Sequence, residues 1–158
     1  ISVKTKMITS KWQKGKSIMS NDKYELLAQQ LQALIEGEPD LIANLSNASA
    51  AINEALENIN WAGFYLVKEN MLVLGPFQGK PACIRIPFGK GVKDVHEFPG
   101  HIACDSASRS EIVIPIHNKS GAVAAVLDID SPELDRFDET DQSGLEHCVK
   151  ILEKYLVF

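Results

Sequence analysis

The sequence predicts an α+β fold, an antiparallel sheet flanked by helices, and three observations carry that prediction. Apolar residues recur at helical spacing near both ends of the chain. Five short stretches of strand character lie between them, and the tight turns "KEN" and "HNKSG" join two pairs of those stretches into hairpins.

Between Asn21 and Glu36 the apolar residues Tyr24, Leu27, Leu31, Leu34 and Ile35 recur in steps of three and four, which marks one face of a helix. Gly37 stops it. Pro39 suits the first turn of a second helix, in which Leu41, Leu45, Ala48, Ile52 and Leu56 keep the period. The segments "INWAGFYLV" (59–67) and "MLVLGPF" (71–77) read as a hairpin, and "ACIRIPF" (82–88) as a third strand. Two more strands follow in "SEIVIPI" (110–116) and "AVAAVLDID" (122–130). The stretch "DETDQSGLEHCVKILEKYL" opens on an Asp start signal and carries the stripe Leu145, Cys148, Val149, Leu152 and Tyr155, so it predicts a closing helix. Residues 1–18 are rich in lysine and free of acid, and are read as a flexible basic extension; residues 19–158 are read as one domain.

Composition narrows the function classes. A chain of 158 residues with 45% hydrophobic and 23% charged content is an ordinary globular domain with enough apolar material for a real core. No apolar run approaches the ~20 residues that span a bilayer, and nothing resembles a secretory leader, so no membrane role and a cytoplasmic location are expected. A net charge of −5, from 16 basic and 21 acidic residues, leaves no basic stripe to neutralise phosphates, so nucleic acid is not expected as a partner. Three cysteines without paired spacing speak against a disulfide framework and against a zinc ribbon, and neither a metal nor a cofactor is expected.

The cysteines differ in context. Cys148 falls on the apolar stripe of the last helix and reads as core. Cys83 opens the third strand, where it shares a face with Arg85 and Pro87, and is either a packed strand residue or an accessible thiol. Cys104 lies in "GHIACDSAS", which has neither helical nor alternating period and reads as a loop crossing over the sheet. Loops held by a rigid scaffold are where chemistry concentrates.

The carboxylates of "VLDID" point the same way. Asp128 and Asp130 are two apart on a strand and share a face, and the apolar strand before them makes that face partly buried. If His117 pairs with Ala122, Glu111 falls opposite Asp128 and three acids converge. Like charges a few ångströms apart repel by ~4 kcal/mol at an effective dielectric near 20, so the group needs a cation or a proton. One reading is a site for a small cationic group such as an amino-acid ammonium, with one acid protonated to act as a donor. The other is a solvated strand end in which Asp130 caps the Ser-Pro turn.

At this point the segments "NWAGFYL", "LGPFQGKPAC", "IPFGKGV", "DVHEFPGHIACDSASRSEIV" and "VLDIDSP" resemble, in order, the signatures of the free methionine-(R)-sulfoxide reductases, which are stand-alone GAF domains. The resemblance covers residues 20 to 156. It implies a GAF-like sheet, Cys104 as the nucleophile, and Cys83 as a second redox cysteine. It implies that Glu111, Asp128 and Asp130 line the substrate pocket with Trp61 and Tyr65, the indole closing over the methyl end. The implied reaction is reduction of free methionine (R)-sulfoxide: attack by the Cys104 thiolate, a proton at the oxygen from Asp130 or Glu111, then a sulfenic acid, a disulfide and recycling by thioredoxin.

One departure stands out. Family members carry another cysteine directly after "GKGV" and roughly a dozen residues before "DVH", a stretch longer than a tight turn, whereas here Val92 runs into Lys93. A segment is expected to be missing at that junction. A genuine deletion would leave recycling to Cys83 or an external thiol. Two other classes stay open: a GAF module that binds a small ligand without catalysis, and a redox sensor built on Cys83 and Cys104. Exposed apolar residues on the first helices would suit a homodimer.

Overall fold

The structure, a computed structural model, describes residues 14–87 and 107–158, with side chains from residue 22 onward. In chain order the elements are α1 (Lys14–Ile35), α2 (Leu41–Ala55), β1 (Trp61–Lys68), β2 (Met71–Gly79), β3 (Arg85–Pro87), β4 (Ser110–His117), β5 (Val123–Ser131) and α3 (Glu139–Tyr155). The strands form one sheet in the order β3-β2-β1-β5-β4, with every neighbouring pair antiparallel. The predicted α+β class is the observed one.

Three local readings need correction. Helix α1 is described from Lys14, ahead of the predicted start at Asn21, because a helix propagates at one hydrogen bond per residue and needs no apolar stripe for its outer turns. Pro39 precedes the second helix; Asp40 is the N-cap, its side chain accepting from the Ala43 amide at 2.7 Å. The third strand is only Arg85–Pro87, and the chain from Pro81 to Ile84 approaches it through one bond, Leu74 N–H to the Ile84 carbonyl at 2.9 Å. Cys83 therefore stands before the strand.

Alternation splits the sheet into two unlike faces. On one face Ala62, Phe64 and Leu66 of β1, Ile114 and Ile116 of β4, and Ala125, Leu127 and Ile129 of β5 pack under the helices, against Leu27, Leu31, Leu45, Ile52, Leu145 and Leu152. Each large side chain so buried contributes roughly 1.5–3 kcal/mol, and this layer is the main core. Leu34, predicted on the apolar face of α1, is 44% exposed, because the stripe of Tyr24, Leu27, Leu31 and Ile35 already fills the contact.

The helices are locked to one another at the far side of that layer. A Cβ at Gly144 would lie 2.2 Å from the Tyr24 ring, so only glycine lets α1 and α3 approach this closely. The Tyr24 hydroxyl donates to Asp141 Oδ1 at 2.5 Å, and Arg136 Nη1 donates to Asp141 Oδ2 at 2.9 Å. Asp138 caps α3 in a capping box with Asp141. The opposite face of the sheet carries a smaller cluster, Trp61, Tyr65 and Val126 with Leu72, Leu74, Phe77, Ile86 and Val113 around them.

Candidate active site

The second face gathers five of the sequence-predicted side chains, Trp61, Tyr65, Glu111, Asp128 and Asp130. Along β1 the period of two puts Trp61, Gly63 and Tyr65 on it, and the strand pairing sets Asp130 opposite Trp61 and Asp128 opposite Gly63. On β4 Glu111 pairs with Asp130 and Val113 with Asp128. The expected pairing of Glu111 with Asp128 is thus off by two. One residue is taken up by the turn, where the Asn118 side chain accepts from the Ser120 and Ala122 amides at 3.0 and 3.1 Å and His117 pairs with Val123. The other is taken up by a bulge between Ile116 and His117. A shift of two leaves the faces unchanged, so the three acids still converge.

One carboxylate oxygen from each of Glu111, Asp128 and Asp130 lies within 4.8 Å of the others. Asp128 Oδ1 is sealed from solvent and has no hydrogen-bond partner among the described residues. Burial, followed by the charges of Glu111 and Asp130, pushes the Asp128 carboxyl well above the usual carboxylate range. Glu111 is also raised by burial, and the two are linked by a side-chain hydrogen bond. Burial and mutual repulsion both favour a proton on this pair of carboxyls over two full charges. Three oxygens so arranged could hold a cation, either a hard metal ion or an ammonium group.

The aromatic wall beside the acids is built around a glycine. A Cβ on Gly63 would lie 2.3 Å from Phe77 Cβ and 2.6 Å from Trp61 Cη2. The indole therefore lies over the space where a side chain would stand. It stacks on Phe77 with centroids 5.2 Å apart and planes at 15°, and on Tyr65 at 5.9 Å and 27°. Its Nε1 donates to the Lys80 carbonyl at 3.1 Å. Burial and the three nearby carboxylates raise the Tyr65 phenol, which stays neutral and donates to the Cys83 carbonyl at 3.1 Å.

Cys83 is disulfide-bonded. Cys148 is a buried free thiol, pushed up to about 12 by burial, and it is the core residue that the helical stripe predicts. Cys104 and the Val92 to Lys93 junction lie outside the described residues. Sequence reading passed over Phe77 and Gly63: both stand in quoted motifs, but nothing in the sequence alone shows that they face each other. None of the described helices is long and apolar enough to cross a membrane.

A five-stranded antiparallel sheet with the described helices on one face, and an aromatic cluster beside three acids on the other, is the architecture of a GAF-type domain. A solved GAF domain 42% identical to this chain has a TM-score of 0.79, covering 88% of this chain and 90% of that one. No protein-family model matches the chain. Free methionine-R-sulfoxide reductase of Escherichia coli is 49% identical over 146 residues, 84% of this chain and 88% of that protein. The fRMsr of Staphylococcus aureus in complex with its substrate is 52% identical with a TM-score of 0.73, covering 84% of this chain and 94% of that one. The chain belongs to the free methionine-R-sulfoxide reductase family.

Proposed function

We propose that this protein reduces free L-methionine (R)-sulfoxide to methionine by a thiol cycle, with the acid trio as the seat of the substrate ammonium. The observation that carries the reading is the convergence of Glu111, Asp128 and Asp130 within 4.8 Å, one of them holding an unpartnered buried oxygen, beside the Trp61 indole. An ammonium entering the trio brings a positive charge beside Asp128, whose Oδ1 has no hydrogen-bond partner among the described residues. A peptide-bonded or acylated residue has no ammonium to offer and leaves the carboxylates unpaired, so the free amino acid is preferred.

The same trio supplies the proton that the chemistry requires. A sulfoxide sulfur is electrophilic, but its oxygen departs only when protonated. While the site is empty the Asp128–Glu111 pair retains a proton. Arrival of the ammonium favours the ionised acids and displaces that proton to solvent, and at turnover the sulfoxide oxygen takes its proton through Glu111 or Asp130. The Cys104 thiolate attacks the sulfur; the oxygen passes to the cysteine as a sulfenic acid, and methionine leaves. The sulfenic acid condenses with the Cys83 thiol, forming a disulfide and releasing water. Thioredoxin, as a dithiol, then reduces that disulfide and becomes oxidised itself. The disulfide-bonded state of Cys83 and the buried, protonated state of Cys148 support Cys83 as the second redox thiol. Its carbonyl is tied to Tyr65, so the redox segment and the substrate wall share one hydrogen bond. The exposed Leu26, Leu34 and Ile42 on α1 and α2 support a homodimer.

The test is turnover of free methionine (R)-sulfoxide, its (S) epimer and the N-acetylated (R)-sulfoxide, with thioredoxin and its reductase. The free (R) form should be consumed with kcat/KM at least about 10²-fold above the acetylated form, the scale of one lost electrostatic partner. Cys104→Ser should abolish the reaction. Equal use of the acetylated compound would refute the ammonium seat.

A further inference from the structure

We infer that Phe77 is a positioning residue: it sets the plane of the Trp61 indole, and through it the fit of the substrate's methyl end. The inference rests on the function proposed above and adds a residue of β2, which lies across β1 from the strands that carry the acids.

The arrangement follows from the backbone upward. Trp61 and Tyr65 point the same way from β1 with Gly63 between them, and any side chain at that position would fill the gap between the two rings. Glycine leaves it open, and the indole lies down along the strand until its Cη2 reaches within 2.6 Å of where a Gly63 Cβ would be. One hydrogen bond, Nε1 to the Lys80 carbonyl at 3.1 Å, pins an edge of the ring. A single pinned edge still permits tilt. The ring of Phe77 removes that freedom, lying only 15° from the indole plane, and it is the flatter of the two stacks that the indole makes.

Phe77 reaches this place because of a bulge. In β2, Gly63 faces Phe77 while Tyr65 faces Leu74, so Gly75 and Pro76 together stand against Phe64 alone. Pro76 cannot donate to a ladder and sits where none is required, beyond the three β2 residues that pair with β3. With no bulge the register from Leu74 would bring Pro76 opposite Gly63, and a pyrrolidine offers no aromatic face to the indole. The bulge, the glycine and the phenylalanine act as one device.

The decisive comparison is Phe77→Leu with Phe77→Tyr, each also made in a Trp61→Ala background. Phe77→Leu should raise KM for free methionine (R)-sulfoxide on the order of three- to tenfold with little change in kcat, and Phe77→Tyr should restore the wild-type KM. In the Trp61→Ala background Phe77→Leu should add almost nothing, because the two act through one ring. A readout free of turnover comes from Trp61 fluorescence. Trp12 is the other of the two tryptophans, so Trp12→Phe isolates the signal. In that background Phe77→Leu should make Trp61 more accessible to acrylamide quenching. Unchanged KM and unchanged quenching would overturn the inference while an active wild type upholds the proposed function, as would losses that add in the double variant. Absence of turnover in the wild type would overturn the functional reading, and quenching alone would then decide what Phe77 does.

Discussion

Two acids on opposite sides of the sheet, Asp141 and Asp128, are both withdrawn from solvent, yet their surroundings differ in kind. Asp141 receives the Tyr24 hydroxyl at 2.5 Å, Arg136 Nη1 at 2.9 Å and the Asp138 amide at 3.0 Å. Arg136 is held in turn by the Glu57 carbonyl through Nε and Nη2 at 3.1 Å each. That carboxylate is saturated, and it joins the helix nearest the start of the chain to the one that closes it. Asp128 has two further acids for company and one oxygen without a partner. An acid whose needs are met by the protein itself is structural. An acid with an unpartnered buried oxygen beside two other carboxylates is the one that the proposed function gives to the substrate.

Removing each acid should therefore have opposite consequences. The largest effect is expected at Asp141→Ala, which leaves the buried Tyr24 hydroxyl and a partly buried guanidinium without their carboxylate. Chemical denaturation should show a loss of about 3–5 kcal/mol, while the folded fraction keeps the kcat/KM of the wild type. Asp128→Asn should do the reverse. It keeps the shape and a donor, removes a carboxyl whose charged form is disfavoured, and costs about 10² in kcat/KM. Its stability effect depends on pH, with a definite sign. The native Asp128 carboxyl titrates above its unfolded value, so between the two the native state holds a proton that the unfolded chain has released. Wild-type stability thus falls as pH rises from the ordinary carboxylate range through the raised native titration, and levels off above it. The Asn variant should lack that fall and overtake the wild type by about 1 kcal/mol or more on the alkaline side, the scale of one unsatisfied buried polar group. Parallel pH profiles for the two proteins would remove the distinction between the acids.

The contrast also explains how far the sequence could be read. The Asp130, Asp128 and Glu111 side of the molecule was legible because strand parity survives errors of two. The register of the β4–β5 hairpin was misplaced by a turn residue and a bulge, and the acids converge all the same. The Asp141 side was hidden. "DETDQSG" announces a helix start, but the partnership of Tyr24 with Asp141 spans 117 positions, and nothing local in the chain signals it. Phe77 was hidden for a related reason, since one bulge in β2 decides which residue stands opposite Gly63. Cys83 was placed one element too far along, because a run of alternating residues reads as strand whether or not a neighbour is there to pair with it.

The central claim is that the empty trio holds a proton which the substrate ammonium displaces. The most direct measurement is calorimetric titration of Cys104→Ser protein with free methionine (R)-sulfoxide, near neutral pH, in buffers that differ in ionisation enthalpy. The account predicts that binding releases protons to the buffer, and that the release disappears in Cys104→Ser/Asp128→Asn. Binding without proton exchange across the neutral range, or the same release with Asp128 replaced, would contradict it.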